Sequence, residues 1–334
     1  MLQEVGSKKD TPRVVELAVS KKALRRLRVE AEEYFGERWP TTTTTDMVLQ
    51  FVKPRTASRH CRFAELPGCL HEDEIGQPTY FISHAWKAPA ELLFRRIEEF
   101  LGDADDATRV WVDCFAVNQH SGEGVNHNQN KEDVSAFEDV VIASEGGTLV
   151  VVGDVQKFNP ATRGWCIYEW DHTILHHGPD SLHMPLGSSS DRAELIASID
   201  VANAECFMEA DKAMILENVV MHHKSLEAFN DKLKLHLLLE PLSFKVDTEQ
   251  HLLRSQHTEW RFADVQRWAE GDVRALCIVG EGGTGKSTIS TAIIREQQRT
   301  PGQVIVVHYL KFSDQRRLDP IRIIKSLAAQ LATR

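Results

Sequence analysis

Short runs of consecutive apolar residues alternate along the chain with segments in which apolar residues recur every three or four positions. The apolar runs lie at residues 80–83, 109–115 and 148–152. The segments with the three- or four-residue spacing, which is typical of helices, lie at 91–101, 131–144 and 162–175. Strands that are apolar on both faces are typical of a parallel sheet with helices on each side. We therefore predict an α/β fold with a parallel sheet, whose ligands bind beyond the carboxyl ends of the strands.

The regions on either side of this predicted sheet have a different pattern. Residues 12–36 and three segments within 191–240 have helical spacing, and five consecutive threonines at 41–45 are typical of a low-complexity linker or an extended lead-in. The predicted organisation is an N-terminal helix and linker, an α/β domain, a helical extension or connector and a last, partial domain, at residues 1–75, 76–190, 191–257 and 258–334.

The last domain contains a glycine-rich loop between a predicted strand at 275–279 and a predicted helix. The loop has the spacing Gly-x-x-x-x-Gly-Lys-Ser of a Walker A motif. Its glycines let backbone N–H groups point at phosphate oxygens, Lys286 can reach the β- and γ-phosphates, and Ser287 can ligate Mg²⁺. The alternative is a turn that binds nothing. The predicted ligands are ATP or ADP with Mg²⁺, bound by Gly280, Glu281, Gly282, Gly283, Thr284, Gly285, Lys286, Ser287 and Thr288.

The length of chain after this loop is short. Only 47 residues follow Ser287, whereas a P-loop NTPase domain needs on the order of 150. No apolar run that ends in paired acidic residues, the usual Walker B form, follows the loop. We therefore expect an incomplete NTPase domain that binds nucleotide better than it hydrolyses it, and a C-terminal sensor region that is missing from this chain.

Composition and charge exclude several classes of function. No apolar run approaches the roughly 18 residues of a membrane span, and the N-terminus has no apolar signal core. The six cysteines are scattered without a C-x-x-C pair, as is typical of free thiols in a reducing cytosol. The net charge of −10 is concentrated in residues 1–254, which disfavours nucleic acid as a partner. We predict a cytoplasmic protein with neither a membrane nor a nucleic-acid partner.

Features on both sides of the glycine-rich loop extend the pattern of the last domain. They are the helix at 260–268, the segment Phe312-Ser313-Asp314 and the segment at 326–331. With these features residues 258–334 resemble the start of a NACHT-type signalling NTPase of the STAND class. The resemblance implies that bound nucleotide controls self-association.

Three segments of the predicted α/β domain also form a pattern. They read Tyr-Phe-Ile-Ser-His-Ala-Trp at 80–86, Val-Trp-Val-Asp at 110–113 and Arg-Gly-Trp-Cys-Ile-Tyr-Glu at 163–169. With these segments residues 79–175 resemble a TIR domain, which implies a flavodoxin-like sheet. In TIR domains that cleave NAD⁺, the glutamate after the Trp-Cys pair is catalytic, and the resemblance gives this role to Glu169.

The chemistry of that role is coherent in itself. Cleavage of the nicotinamide–ribose bond passes through an oxocarbenium-like state, which one carboxylate near the ribose stabilises. A tryptophan can stack on the nicotinamide or adenine ring. The candidate substrate-binding residues are Ser83, His84, Trp86, Asp113 and Trp165, with NAD⁺ as the possible substrate.

Each candidate also has an ordinary structural interpretation. Trp165 can belong to the core, Glu169 can pair with Arg163 or cap a turn, and Asp113 can be a turn former. The paired histidines at 176–177 and 222–223 are predicted to lie on solvated helix faces. Two cysteines and two histidines within 60–71 suggest a zinc site. Their spacing lacks a C-x-x-C pair, and the alternative is that they are ordinary thiols and surface imidazoles.

Domain order and the two motifs together predict an intracellular signalling switch. Nucleotide at the loop would control oligomerisation, and the assembled TIR-like domains would cleave NAD⁺ through Glu169. In the main alternative the TIR-like domain is a non-enzymatic adaptor that acts by self-association. In a third interpretation the N-terminal domain only senses a ligand for the NTPase.

Overall fold

A computed structural model describes most of the chain, which divides into two compact units, Met1–Leu238 and Leu239–Arg334. The described residues are 11–120, 129–178, 181–186, 188–239, 263–271, 275–281, 283–297, 304–310 and 318–332. Among them, no helix combines the length and the apolar character needed to span a bilayer.

The first unit is built on a six-stranded sheet. The strands are β1 (Ala18–Ser20), β2 (Ile75–Gly76), β3 (Tyr80–Ser83), β4 (Arg109–Trp111), β5 (Thr148–Val150) and β6 (Leu182–His183). Their order across the sheet is β2-β1-β4-β3-β5-β6, and β1 pairs antiparallel with both of its neighbours. The other pairs are parallel, with Phe81 opposite Trp111 and Ile82 opposite Leu149. The predicted α/β class with a mostly parallel sheet is confirmed.

The order of the parallel strands determines where a ligand can bind. The four parallel strands lie in the spatial order β4-β3-β5-β6. Counted along the chain, they are the second, first, third and fourth parallel strands, which is the order of a flavodoxin-like sheet. The chain leaves β3 towards one side of the sheet and later continues on the other side. In such sheets the ligand crevice lies outside the carboxyl ends of the strands at this reversal, which here is the edge just after Ser83.

Helices cover both faces of the sheet, as the continuous apolar strands predict. Their bounds are α1 (Lys21–Phe35), α2 (Thr44–Met47), α3 (Lys53–Thr56), α4 (Ala90–Leu101), α5 (Asp113–Ala116), α6 (Gln129–Ser135), α7 (Phe137–Ala143), α8 (Gly164–His177), α9 (Ser189–Ala197), α10 (Glu209–His223) and α11 (Leu226–Leu239). Ile82 and Val110 pack in a core with α1 and α4, whereas Phe81 and Trp111 point to the opposite face, against α7. Residues 191–238 belong to the same unit, since α10 and α11 share a second core with α8.

The N-terminal region contributes more to this unit than its sequence predicts. The helix predicted at 12–36 is wrong over its first third, because Val19 pairs with Val110 in the sheet and Ser20 caps α1 by accepting the Ala23 N–H. The linker predicted at 41–45 is also wrong, since Thr44 is fully buried at the start of α2. The predicted domain limits stay predictions, although contacts between residues cross the limit between residues 75 and 76.

Two further elements differ from their predicted form. The strand predicted at 109–115 ends at Trp111, and Asp113 begins the short helix α5. The single helix predicted at 131–144 is two helices, α6 and α7, separated by Ala136. The short strands β2 and β6 were not predicted, because two residues are too few to produce an alternating or apolar run.

The described residues of the second unit contain three helices, α12 (Ala263–Glu270), α13 (Lys286–Gln297) and α14 (Pro320–Ala332). The helices predicted after the loop and at 320–332 are confirmed. The strands predicted at 275–279 and 303–309 are not confirmed. In the structure, residues 275–280 and 304–310 do not pair as strands, and Val279 is 86% exposed. Trp260, the first residue of the predicted helix at 260–268, lies outside the described residues.

A buried ion pair joins the N-terminal region to α6. The guanidinium of Arg62 donates to both carboxylate oxygens of Asp133, with Nη2–Oδ1 at 2.6 Å and Nε–Oδ2 at 3.0 Å, and the Asn118 N–H donates to Oδ2 at 2.9 Å. Both charged side chains are nearly inaccessible to solvent. Removal of Asp133 would take the bidentate partner from the buried guanidinium and leave it paired with Glu65, whose Oε2 lies 3.0 Å from Nη1.

We expect Asp133→Ala to lower the free energy of unfolding by about 3–5 kcal/mol, the usual cost of breaking a buried pair. Urea unfolding of the whole chain measures the loss. Glu132→Ala, at an exposed position on the same helix, is the matched control and should change stability by less than about 0.5 kcal/mol. Equal stabilities for the two variants would contradict the assigned role of this pair.

Candidate functional sites

The glycine-rich loop leads directly into α13. Gly283 and Gly285 have φ values of 79° and 83°, in the left-handed region that favours glycine. At Gly280 a β-carbon would lie 2.8 Å from the Thr284 hydroxyl, so a larger residue would force the loop to shift. The Gly285 carbonyl accepts the Ile289 N–H at 2.9 Å, which begins the helix. Three of the loop's glycines are therefore required by its geometry.

The side chain of Lys286 folds over this loop. Its Nζ donates to the carbonyl oxygens of Gly280 and Glu281, both at 2.6 Å, and the Thr284 hydroxyl donates to the Glu281 carbonyl at 2.8 Å. The ammonium group thus lies above the loop, at the N-terminus of a twelve-residue helix whose dipole favours an anion. The arrangement can hold phosphate oxygens between the lysine and the backbone.

Two further predicted residues of the loop follow Lys286 on α13. Ser287 and Thr288 lie in the first turn of α13, and Ser287 is exposed. A serine hydroxyl at this position is where a P-loop ligates Mg²⁺. Gly282 lies outside the described residues. The sequence prediction of a strand before the loop is the part that the structure does not reproduce.

A second group of polar side chains lies at the carboxyl ends of β3 and β4. The Trp86 indole N–H donates to Asp113 Oδ2 at 2.7 Å, and His84 Nε2 lies 3.8 Å from Asp113 Oδ1. Neither His84 Nε2 nor Asp113 Oδ1 makes a hydrogen bond, although both atoms are buried. Burial lowers the pKa of the His84 imidazole, which favours its neutral form.

Glu169 reaches the same edge from α8. Its carboxyl group is buried, and the Oε2 atom has no hydrogen-bond partner. The carboxyl group interacts with the Ser83 hydroxyl. Burial raises the pKa of Glu169 well above its ordinary value, because the surroundings disfavour the charged form; the Ser83 hydroxyl opposes this shift and the Asp113 charge adds to it. Buried polar groups without hydrogen-bond partners are rare in proteins as a whole. Those that occur are concentrated at functional sites. Four of the predicted substrate-binding residues therefore lie with the Glu169 carboxyl group at one edge of the sheet: Ser83, His84, Trp86 and Asp113.

Trp165, the fifth predicted substrate contact, belongs to a different environment. Its indole N–H donates to Asp211 on α10 at 3.1 Å, and its ring packs edge-on against Phe137 and Tyr168. These contacts favour the structural interpretation of this tryptophan. The alternative pairing of Glu169 with Arg163 is wrong as well, since Arg163 pairs with Glu205.

Two residues that were not among the predicted site residues support this edge. The Trp170 indole N–H donates to the Ser83 hydroxyl at 3.0 Å, and the Cys166 thiol lies 3.5 Å from the His84 carbonyl. Cys166, Glu169 and Trp170 are three and four positions apart on α8, so one helix face presents all of them to the sheet. That spacing was the available signal. His223 was predicted on a solvated face, but its Nε2 lies 2.7 Å from Asp171 and its side chain is buried.

The burial of Glu169 predicts a dependence of stability on pH. An unfolded glutamate ionises near pH 4.3, whereas the folded Glu169 stays neutral to higher pH. As the pH rises between these two pKa values, the unfolded state gains the free energy of ionisation and the folded state does not. Glu169 therefore lowers the stability of the fold at neutral pH and has no such effect below pH 4.

We expect Glu169→Gln to be more stable than the wild type at pH 7–8, with a difference that shrinks to a small constant near pH 4. Urea unfolding of both chains at several pH values measures it, and the comparison cancels the pH dependence of all other groups. A wild type that gains stability over the variant as the pH rises would contradict the neutral assignment.

Comparison with known proteins finds a similarity in the second unit. Residues 256–334, roughly a quarter of the chain, match the family model described as Nephrocystin 3, N-terminal. No match was found among curated proteins or among solved structures. The TIR resemblance of residues 79–175 has no matching family model and stays a prediction. The C-terminal part of this chain is thus similar to the N-terminal region of nephrocystin 3.

Proposed function

We propose that this chain is a signalling switch in which ATP or ADP, bound at Gly280–Thr288, controls self-association. The observation that carries the proposal is the loop geometry: two left-handed glycines, a lysine ammonium folded over the loop, and a helix that begins at that lysine. Residues 256–334, which contain this loop, are similar to the N-terminal region of nephrocystin 3.

Calorimetric titration of the full chain with ATP, ADP and inorganic phosphate tests the first half of this proposal. We expect both nucleotides to bind in the presence of Mg²⁺ and phosphate to bind far more weakly. Analytical ultracentrifugation with ATP, with ADP and without nucleotide tests the second half. Binding without any change in sedimentation would leave a nucleotide-binding protein that is not a switch.

A second function is favoured by a different observation. At the carboxyl edge of the sheet Glu169 Oε2, His84 Nε2 and Asp113 Oδ1 are all buried and all lack hydrogen-bond partners. We propose that this edge cleaves the nicotinamide–ribose bond of NAD⁺. The Glu169 carboxylate would stabilise the oxocarbenium-like state, and Trp86 with its Asp113 hydrogen bond would position a ring of the substrate.

The burial of Glu169 connects the two proposed functions. The carboxyl group is enclosed, and burial raises its pKa, which favours the protonated form; that form stabilises a cation poorly. Activity would therefore require this edge to open or the substrate to bring positive charge beside the carboxyl group. Nucleotide-driven self-association is the event that we propose to supply this change.

Consumption of NAD⁺ by the full chain, with ATP and Mg²⁺ at high protein concentration, tests the enzymatic proposal. We expect free nicotinamide to be released. A chain that binds ATP and self-associates but leaves NAD⁺ intact would favour the adaptor, in which the first unit acts by contact alone.

A further inference from the structure

Three potential metal ligands meet where α7 packs on α8. Glu138, His172 and His176 each offer one atom, and the three atoms lie within 4.8 Å of one another. His172 Nδ1 is 3.5 Å from Glu138 Oε1, and His176 Nε2 is 3.1 Å from the same oxygen. Among the described residues no other group of histidine, cysteine and acidic side chains is assembled in this way, including the pairs within 60–71.

The spacing of these atoms suits a first-row transition metal. Zn²⁺ lies about 2.0–2.2 Å from imidazole nitrogen and carboxylate oxygen, so two ligands of a tetrahedral site are about 3.4 Å apart. The two contacts to Glu138 are close to that separation. His172 and His176 are one helical turn apart on α8, and their rings stack at 5.9 Å with planes 22° apart. Both rings therefore face Glu138 from one side of the helix.

The burial of His172 distinguishes this group from histidines that meet by chance on a surface. Its side chain is 3% exposed, and Nδ1 is buried with no hydrogen-bond partner. A buried imidazole nitrogen without a partner is costly, and it points at the other two ligand atoms. The side chains of Glu138 and His176 are partly exposed, at 47% and 27%, so an ion can enter from solvent.

From these observations we infer that Glu138, His172 and His176 bind one divalent transition-metal ion, with Zn²⁺ as the expected occupant. Three protein ligands leave a fourth position for water. The ion would join α7 to α8, the helix that carries Glu169. It would stabilise the folded first unit by mass action, because the unfolded chain does not hold the three ligands together. This inference is independent of both proposed functions.

Titration of chelator-treated full-length chain with ZnCl₂ tests the inference. Glu138→Gln and His176→Gln each remove one partly exposed ligand, which spares the buried His172 and the fold. We expect each variant to bind one equivalent of Zn²⁺ fewer than the wild type, or to bind it at least tenfold to a hundredfold more weakly, since even outer-shell changes cost that much. Zn²⁺ should raise the thermal unfolding midpoint of the wild type and not that of the variants.

The neighbouring histidine provides a matched control. His177 Nε2 hydrogen-bonds the Val141 carbonyl and is not part of the group, so His177→Gln should bind Zn²⁺ as the wild type does. Circular dichroism at 222 nm checks that all variants are folded. The inference is wrong if the wild type binds no Zn²⁺, or if Glu138→Gln and His176→Gln match His177→Gln in stoichiometry and affinity.

Discussion

Lys286→Ala should lower the affinity for ATP by roughly 10- to 150-fold. The ammonium group already lies above the loop, 2.6 Å from two backbone carbonyls, and bound phosphate oxygens would replace those acceptors with charged ones. A hydrogen bond to a charged group contributes about 1.5–3 kcal/mol, which corresponds to that range. The fold should be unaffected, because within the described part of the chain the Lys286 ammonium donates to carbonyls of the exposed loop.

Two further variants define this experiment. Lys325→Ala removes an exposed lysine from α14 and should leave ATP affinity unchanged. Ser287→Ala should weaken binding only when Mg²⁺ is present, because its hydroxyl is the proposed metal ligand. Isothermal titration of the full chains with ATP, with and without Mg²⁺, measures all three. Wild-type affinity in Lys286→Ala would refute the loop as the nucleotide site.

Glu169→Gln should reduce the rate of NAD⁺ cleavage by about a hundredfold to a thousandfold. The amide has the size and shape of the carboxyl group but cannot carry the negative charge that stabilises an oxocarbenium-like state. Losses of this magnitude are typical when one preorganised electrostatic group is removed from an active site. Measurement of nicotinamide release by the full chain, with ATP and Mg²⁺, gives the ratio.

The ionisation of Glu169 adds a dependence on pH to this expectation. Only the ionised form is active, so the wild-type rate should rise with pH until the pH exceeds the pKa of Glu169 in the assembled, opened chain. Glu145→Gln changes an exposed glutamate near the amino end of β5, the opposite edge of the sheet, and should leave both the rate and its pH profile unchanged. A Glu169→Gln variant as active as the wild type would remove Glu169 from the reaction.

Agreement between sequence and structure was best where one local feature determined the outcome. The strands at 80–83 and 148–150 were predictable because an apolar run of that length must be buried on both faces of a sheet. The loop at 280–288 was predictable because its glycines are needed at particular backbone angles. Helices α4, α8, α11 and α14 followed from periodicity alone.

Features that depend on distant partners were missed for a common reason. Val19 joins the sheet only because Val110 lies opposite it, and Thr44 is buried because the loop after β3 packs over it: the Thr44 N–H donates to the Ala88 carbonyl. The pair Arg62–Asp133 and the group around Glu138 and His172 likewise bring together residues on different helices. None of these partners can be identified from neighbouring residues, although the four-residue interval between His172 and His176 was visible.

The sequence by itself determined the α/β class, the glycine turn before α13 and the candidacy of Glu169, because each depends on residues close together in the chain. The tertiary structure decided that Ser83, His84, Trp86 and Asp113 share one edge with Glu169 and that the Trp165 indole bonds Asp211. It also decided that the Glu169 carboxyl group is enclosed, which raises its pKa. Burial and charge depend on every element packed around a group, and the strand order that sets this packing joins segments far apart in sequence.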